Sequence, residues 1–448
     1  MIVSMTRLVK RAYKFRFYPD AEQEALLART FGCTRFVYNR ALAARTAAWK
    51  DEHRRISYVE TSALLTEWKR DPDLDWLNEV SSVPLQQALR HLNTAFMNFW
   101  DKRAAYPTFK AKRRSRDSAE FTYRAFSYTR DPAGDPVLKL AKTTRPLDVV
   151  WHRAVPADTT PSTVTVTRDP AGRWFASLLF DAPVDPMPAP AGASPGRVAG
   201  VDMGQVDTIT VSTEHTDGTI ATAKTPGLMP RQTLEDKLAR AQRRMARTQK
   251  GSKNRAKAAR TVARLHAKIA DRRRDHLHKT SYRLVRDNQA IGLEDLDVRG
   301  MTRTGRGTVE NPGTNVARTA ARNRRNLGVG YRELRTMIEY KADWHDVDIV
   351  HVDRFYPSTR MCSTNGCGHI TGPIPTKVRS WTCPHCHTLH DRDINAATNI
   401  RAAATAVLAC GDGVRLRGGQ PSRRTHPADE TGNLGPRGPK PDPSGPGS

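Results

Sequence analysis

Cysteine is scarce in this chain: six in 448 residues, too few for the disulfide framework that staples small secreted domains. Four of the six, Cys362, Cys367, Cys383 and Cys386, fall within 25 residues of one another, a grouping that points to a metal rather than to disulfides. Cys33 and Cys410 stand alone and read as buried small apolar residues. Long apolar runs are missing too. No stretch approaches the ~18 consecutive apolar residues of a membrane span, and the opening MIVSMTRLVKRAYKF has no apolar core of the secretory kind. A cytoplasmic location with no membrane partner is therefore expected. Acidic residues are also short: 46 Asp and Glu face 73 Lys and Arg, a formal charge of +27. That excess would repel itself in a compact state unless a polyanion screened it, and the natural polyanion is nucleic acid. Hydrophobic residues at 38% are enough for real cores in two or three domains.

Residues 12–19, AYKFRFYP, alternate as a strand does and end at Pro19-Asp20. From 21 to 105 the apolar residues recur at helical spacing, which predicts three or four helices. From 106 to 183 the pattern returns to short alternating runs, at 137–141, 148–152, 163–168 and 174–180, the last two joined by the turn Asp169-Pro170-Ala171-Gly172. A first strand at 1–20, a helical insertion at 21–105 and further strands at 106–183 predict a small β-barrel interrupted by helices. Residues 184–196 read as a Pro/Gly/Ala linker.

After the linker, VAGVDMG, VDTITVST and GTIATAK predict three successive strands. Residues 231–290 then predict two helices broken at Gly251-Ser252-Lys253-Asn254, carrying 19 Lys and Arg against 5 Asp and Glu. A solvated helix face balances its signs with i,i+4 pairs and this one does not, so Arg243, Arg244, Arg247, Lys257, Arg260 and Arg264 are candidate phosphate contacts. A strand at 290–296, a Gly/Arg/Asn-rich loop at 300–330, a helix at 331–343 and a strand at 347–352 complete an α/β core spanning 197–357. Residues 411–448, rich in Gly, Pro, Arg and Ser, are expected to be a disordered tail.

Three acids fall at the ends of predicted elements: Asp202 in the first strand after the linker, Glu294 at the end of the strand at 290–296, and Asp393 at the start of the last helix, 391–410. A carboxylate in an apolar strand is costly unless it is paired or binds a cation. Gly200 and Gly204 are expected to leave room beside Asp202 for a metal and a phosphate. Asp391 reads as the N-cap of the last helix and Asp295 as facing away from Glu294. Together Asp202, Glu294 and Asp393 suit two Mg²⁺ ions about 4 Å apart acting on a phosphodiester, with Asp202 bridging both. Cys362-x4-Cys367 and Cys383-x2-Cys386, within an insertion at 358–390, form two knuckles for one structural Zn²⁺. His369, His385, His387 and His390 crowd that site and are expected on the surface or beside the ligands.

The joint set GVDMG, LHKTSYRLV, IGLEDL, EYKADW, DRFYPST, VRSWTCPHC and HDRDINAATNI resembles the TnpB proteins of insertion sequences and the miniature type V CRISPR effectors derived from them, over about residues 10–410. The resemblance implies an RNA-guided DNA endonuclease: a wedge β-barrel with a helical recognition insertion, then an RNase H-like (RuvC) core with a zinc-bearing target-binding insertion. The family's catalytic Asp, Glu and Asp fall on Asp202, Glu294 and Asp393. RFVYNRALAAR, ISYVETS and PLQQALRHL match its recognition helices, which puts Tyr58 and Gln86 where the family reads a short duplex motif beside the target. The implied partners are a guide RNA and target DNA, with one copy or a homodimer on the guide. The spacing Cys-x4-Cys departs from the family's usual Cys-x2-Cys but keeps four thiolates. A guide-independent nuclease or transposase would not need 195 residues before its core, and a non-cleaving regulator would be expected to lose one of the acids.

Overall fold

The computed structural model describes residues 8–156, 159–184, 197–214, 218–228, 231–375 and 377–410, with Arg231 and Gln232 as backbone only. The expected tail at 411–448 and residues 185–196 of the linker lie outside them. The chain divides into two compact units that meet in sequence at Pro183 and Val184.

In the first unit, strand β1 (Leu8–Tyr18) buries Tyr13, Phe15 and Phe17 and turns Lys14 and Arg16 outward, the period-2 alternation of a sheet with one covered face. Helices α1 (Ala21–Glu52), α2 (Tyr58–Arg70) and α3 (Ser82–Trp100) follow, with a short 3-10 turn at Pro72–Asn78. Capping boxes start the first two: Asp20 with Gln23, and Ser57 with Glu60. Strands β2 (Asp117–Thr122), β3 (Phe126–Arg130), β4 (Pro136–Leu140), β5 (Asp148–Val150), β6 (Thr163–Arg168) and β7 (Trp174–Pro183) complete the unit. The antiparallel order is β2-β6-β7-β1-β5, and β3 and β4 form a separate hairpin. Leu138 and Leu140 of that hairpin share one core with Phe15, Phe17, Val164, Val166, Leu178 and Phe180 of the sheet. The hairpin is also bonded to the chain entering β5, the Leu147 N–H donating to Leu138 O at 2.8 Å. Leu27 and Phe31 of α1 enter this core, while Val37, Leu42, Leu65, Trp68, Leu85, Leu89 and Leu92 form a second, all-helical one.

The second unit is built on strands β8 (Val198–Asp202), β9 (Asp207–Glu214) and β10 (Ile220–Pro226), helices α4 (Arg231–Ala246) and α5 (Lys253–Arg286), β11 (Ala290–Glu294), α6 (Val298–Met301), α7 (Val316–Val329), α8 (Tyr331–Trp344) and β12 (Asp348–Val352). A ribbon of β13 (Ser380–Thr382) and β14 (Leu389–Asp391) leads into α9 (Arg392–Ala409). The sheet order is β10-β9-β8-β11-β12, with β10, β9 and β8 antiparallel and β8, β11 and β12 parallel. On one face, Ala199, Val201, Ile291 and Leu293 pack with Leu277 and Leu284 of α5 and Leu334 and Ile338 of α8. On the other, Gly200 and Gly292 lie directly under α9. A Cβ added to Gly200 would come 2.2 Å from Ala397 O, and one on Gly292 would come 2.7 Å from Ala404 Cβ.

Three expectations change. The space beside Gly200 is filled by the backbone of α9, and that beside Gly204 by Asp207 O, 2.7 Å from a built Cβ; these glycines serve close packing. The stretch 300–330 is not one loop. Residues 316–329 form α7, because Ala and Arg are strong helix formers and the buried Asn326 anchors the helix through Nδ2 to Met301 O at 3.1 Å. Cys410 is exposed, since it follows the last turn of α9 beyond the sheet; Cys33 is buried as expected.

Candidate functional site

The acids meet through strand register. β8 and β11 run parallel with Gly200 beside Gly292 and Val201 beside Leu293, so the next residues, Asp202 and Glu294, end neighbouring strands at the same level. Side chains two apart share a face, and both acids therefore lie on the face that α9 covers. Asp393, in the first turn of α9, supplies the third carboxylate. Burial pushes the Asp202 carboxyl up to about 7, helped by the negative charges of Asp393 and Glu294 and opposed by Arg392 and Arg379. Burial also raises Glu294. Tyr331, opening α8, is pushed up to about 12 by burial and by the charge of Asp202. Asp202 thus feels the charges of both other acids, and an all-oxygen donor set suits Mg²⁺.

The neighbouring acids have other tasks. Asp391 caps α9, accepting from the N–H groups of Asp393 and Ile394 at 3.0 Å, and pairs with Lys224 at 2.8 Å. Burial works against its ionisation, but Lys224 and the two N–H groups hold its carboxyl below the usual range. Asp295 accepts from Arg335 at 2.8 Å and Arg354 at 3.1 Å, which lowers it. The sequence gives no sign of Arg379, whose guanidinium lies 3.4 Å from Asp393 Oδ1; it directly precedes β13, and its carbonyl accepts the Arg392 N–H at 2.8 Å, which holds it beside the start of α9.

Cys362, Cys367, Cys383 and Cys386 place their sulfurs within 4.8 Å of one another, with Cys362 to Cys386 at 3.5 Å and Cys367 to Cys383 at 3.8 Å. A disulfide needs roughly 2.05 Å, whereas a tetrahedron with Zn–S bonds of about 2.3 Å has edges of about 3.8 Å. Thr364 and Thr388 set hydroxyls 3.3 Å from Cys362 and Cys386. His390 is buried against Cys362, its Nε2 3.0 Å from the sulfur, and His385 Nδ1 lies 3.6 Å from Cys367. The cluster is tied to α9 twice. Ser380 pairs with Asp391 in the ribbon, and Asn395 and Asn399 donate to the carbonyls of Ser358 and Met361.

Arg243, Arg244, Arg247, Lys257, Arg260 and Arg264 are all exposed. In the first unit, Tyr58 opens α2 and is half-buried against the helical core, while Gln86 is exposed on α3. Arg90, one turn beyond Gln86, lays its guanidinium 5.3 Å from the Tyr58 ring centre and joins the two positions on one surface. Its signal in the sequence is the i,i+4 spacing from Gln86.

Residues 179–305 match the OrfB_IS605 family, described as a probable transposase, and residues 331–400 match the TNB domain of Cas12f1-like proteins. Residues 5–54 match a helix-turn-helix domain of OrfB_IS605. A Streptomyces pristinaespiralis protein provisionally named an RNA-guided DNA endonuclease is 47% identical over 435 residues, 96% of this chain and 99% of that one. The chain belongs to the TnpB family. InsQ of Escherichia coli K12, a TnpB-type relative with the same provisional name, is 33% identical over 90% of this chain and 95% of its own. Among solved structures, the Cas12f1–sgRNA–target DNA complex superposes with a TM-score of 0.55 at 13% identity, over 88% of this chain and 99% of that one. The mini-RNA-guided endonuclease CRISPR-Cas_phi3 gives 0.52 at 9% identity, over 89% and 92%. These two show a shared fold. In this TnpB-family chain the segment matched as helix-turn-helix is built, over its described residues, from β1 and the single helix α1. No helix among the described residues is long and apolar enough to cross a membrane.

Proposed function

We propose that this protein is an RNA-guided, Mg²⁺-dependent DNA endonuclease whose RNase H-like (RuvC) centre is Asp202, Glu294 and Asp393. The observation that carries this is the register that ends β8 and β11 on two acids at one level, under a helix whose first turn brings the third. In this reading, residues 8–183 supply the wedge and recognition parts, 197–357 the nuclease core, 358–390 the zinc-bearing target-binding insertion and 391–410 the closing helix. Two Mg²⁺ ions, when bound, activate the attacking water and stabilise the leaving oxygen. The protein's own groups do the rest. Asp202, which feels the charges of both other acids, would hold the two ions in common, and Glu294 and Asp393 would each help to hold one. Arg379 can exchange its contact with Asp393 for the substrate phosphate. One Zn²⁺ on the four cysteines fixes the start of α9 and with it Asp393. The exposed basic residues of α4 and α5 contact phosphates of guide RNA or target DNA. One copy or a homodimer can hold the guide.

Purification from cells carrying the native locus is expected to yield the protein with one discrete RNA, because +27 is poorly tolerated in a free compact chain. Sequencing the bound RNA checks this, and reprogramming its guide should redirect cutting of a plasmid target. Random RNA fragments, or cutting indifferent to the guide, would refute guidance.

Tyr58→Ala or Gln86→Ala should weaken binding to duplexes carrying the flanking motif by roughly tenfold, with little change on unrelated duplexes, since base contacts specify while phosphate contacts position. Filter binding on both DNAs measures it. Equal losses would assign Tyr58 to the helical core it touches.

A further inference from the structure

Phe355 is 84% exposed, on a loop that the structure holds firmly. Asp353 accepts the Phe355 N–H on Oδ1 at 2.7 Å and the Tyr356 N–H on its carbonyl at 3.0 Å. On one side Arg354 is committed to Asp295, which also binds Arg335. On the other, Tyr356 Oη donates to Asn399 O at 3.4 Å and the Ser358 carbonyl accepts from Asn395 and Asn399. Every neighbour of Phe355 is thus tied down, and its own ring is left to solvent. Isolated exposed aromatics are ordinary; this one is distinguished by where the loop begins. Val352, three residues earlier, is the strand partner of Glu294, so the Phe355 backbone lies within about 11 Å of that level of the sheet. It follows the carboxyl end of a parallel strand, the end where ligands of open α/β sheets bind.

We infer that Phe355 is a positioning residue whose ring stacks on an unpaired nucleobase of the strand being cut, next to the scissile phosphate. This rests on the nuclease reading above. A base stacked on an aromatic ring is held without regard to its identity, as a guided nuclease that must cut any sequence requires. Tyr356 cannot take this part because its ring is half-buried and its hydroxyl is engaged with α9.

The test uses the full chain loaded with its guide RNA, and targets carrying a single abasic nucleotide at each position around the cut. The wild type is expected to lose about tenfold in cleavage rate at one abasic position, in line with the worth of one stacked base. Phe355→Ala should cut the intact target about tenfold more slowly, with no further loss at that position. Phe355→Trp should restore both the rate and the abasic sensitivity, whereas Phe355→Leu, apolar but without a π face, should behave as Ala. Zinc content and melting temperature report folding and should match the wild type. Wild-type cleavage by Phe355→Ala, or an abasic penalty undiminished in it, overturns the stacking role while leaving the nuclease reading intact. A wild-type protein that cuts no guided target overturns both.

Discussion

Asp202→Ala, Glu294→Ala and Asp393→Ala are each expected to slow cleavage of a guided target by about a thousandfold or more, while RNA and target binding stay within a few-fold of wild type. In the proposed reading the carboxylates act on the phosphodiester step, whereas affinity comes from exposed basic residues and from base pairing with the guide. Loss of chemistry without loss of binding is therefore the signature, read by cleavage and filter binding on the same DNA with Mg²⁺ and with EDTA. A variant that cuts at the wild-type rate would remove its residue from the centre; if all three did, the RuvC reading would fall. The same centre predicts a pH effect. The Asp202 carboxyl is raised from its ordinary 3.8 to about 7, so the metal-free fold holds a proton that the unfolded chain releases. That contribution to stability is complete below about 3.8 and is lost as pH rises through about 7. Mg²⁺ bound at the proposed centre would take the proton's place, so it should raise the melting temperature more at pH 8 than at pH 6, and Asp202→Ala should lose the difference. An equal gain at both pH values would mean that Asp202 does not bind the metal.

Cys383→Ser should release zinc and lower the melting temperature of the second unit by about 5–10 °C. Cys383 is fully buried, and its loss leaves three sulfurs whose mutual repulsion no longer has a tetrahedral cation to offset it. The damage reaches the acids because Ser380 pairs with Asp391 and because Asn395 and Asn399 bind the carbonyls of Ser358 and Met361; the start of α9 loosens and Asp393 loses its fixed place. Cleavage should accordingly fall by roughly ten- to a hundredfold, less than for Asp393→Ala. Metal analysis and calorimetry check this. Stoichiometric zinc with unchanged melting in Cys383→Ser would disprove the four-thiolate site.

Local pattern made much of the architecture legible. Alternation in AYKFRFY marks β1 because one face of that strand is covered; the three runs after the linker mark β8 to β10 through the turn residues between them, β8 itself being covered on both faces. The break at Gly251-Ser252 separates α4 from α5, and Ser252 caps the second helix. Where pattern was weak the reading failed. Helix α7 buries only Asn326 and Val329, and its anchor is a buried Asn that binds a distant carbonyl, which no apolar periodicity announces. Gly200 next to an acid suggests open space, yet its role is set by a helix about two hundred residues later in the chain.

The sequence by itself determined the chemistry available: three acids at element ends, four cysteines at ligand spacing and a basic excess, since side-chain identity and near-neighbour spacing are properties of the chain. Tertiary structure decided which of the acids lie near one another. Asp391 and Asp295 stand beside Asp393 and Glu294 in sequence, but one is spent on a helix cap and Lys224 and the other on two arginines. Asp202, Glu294 and Asp393 converge because a parallel register levels two strand ends and two glycines let α9 approach closely enough to bring the third. The raised Asp202 carboxyl is likewise a product of that fold, because burial and electrostatic coupling depend on surroundings in space that spacing along the chain does not fix.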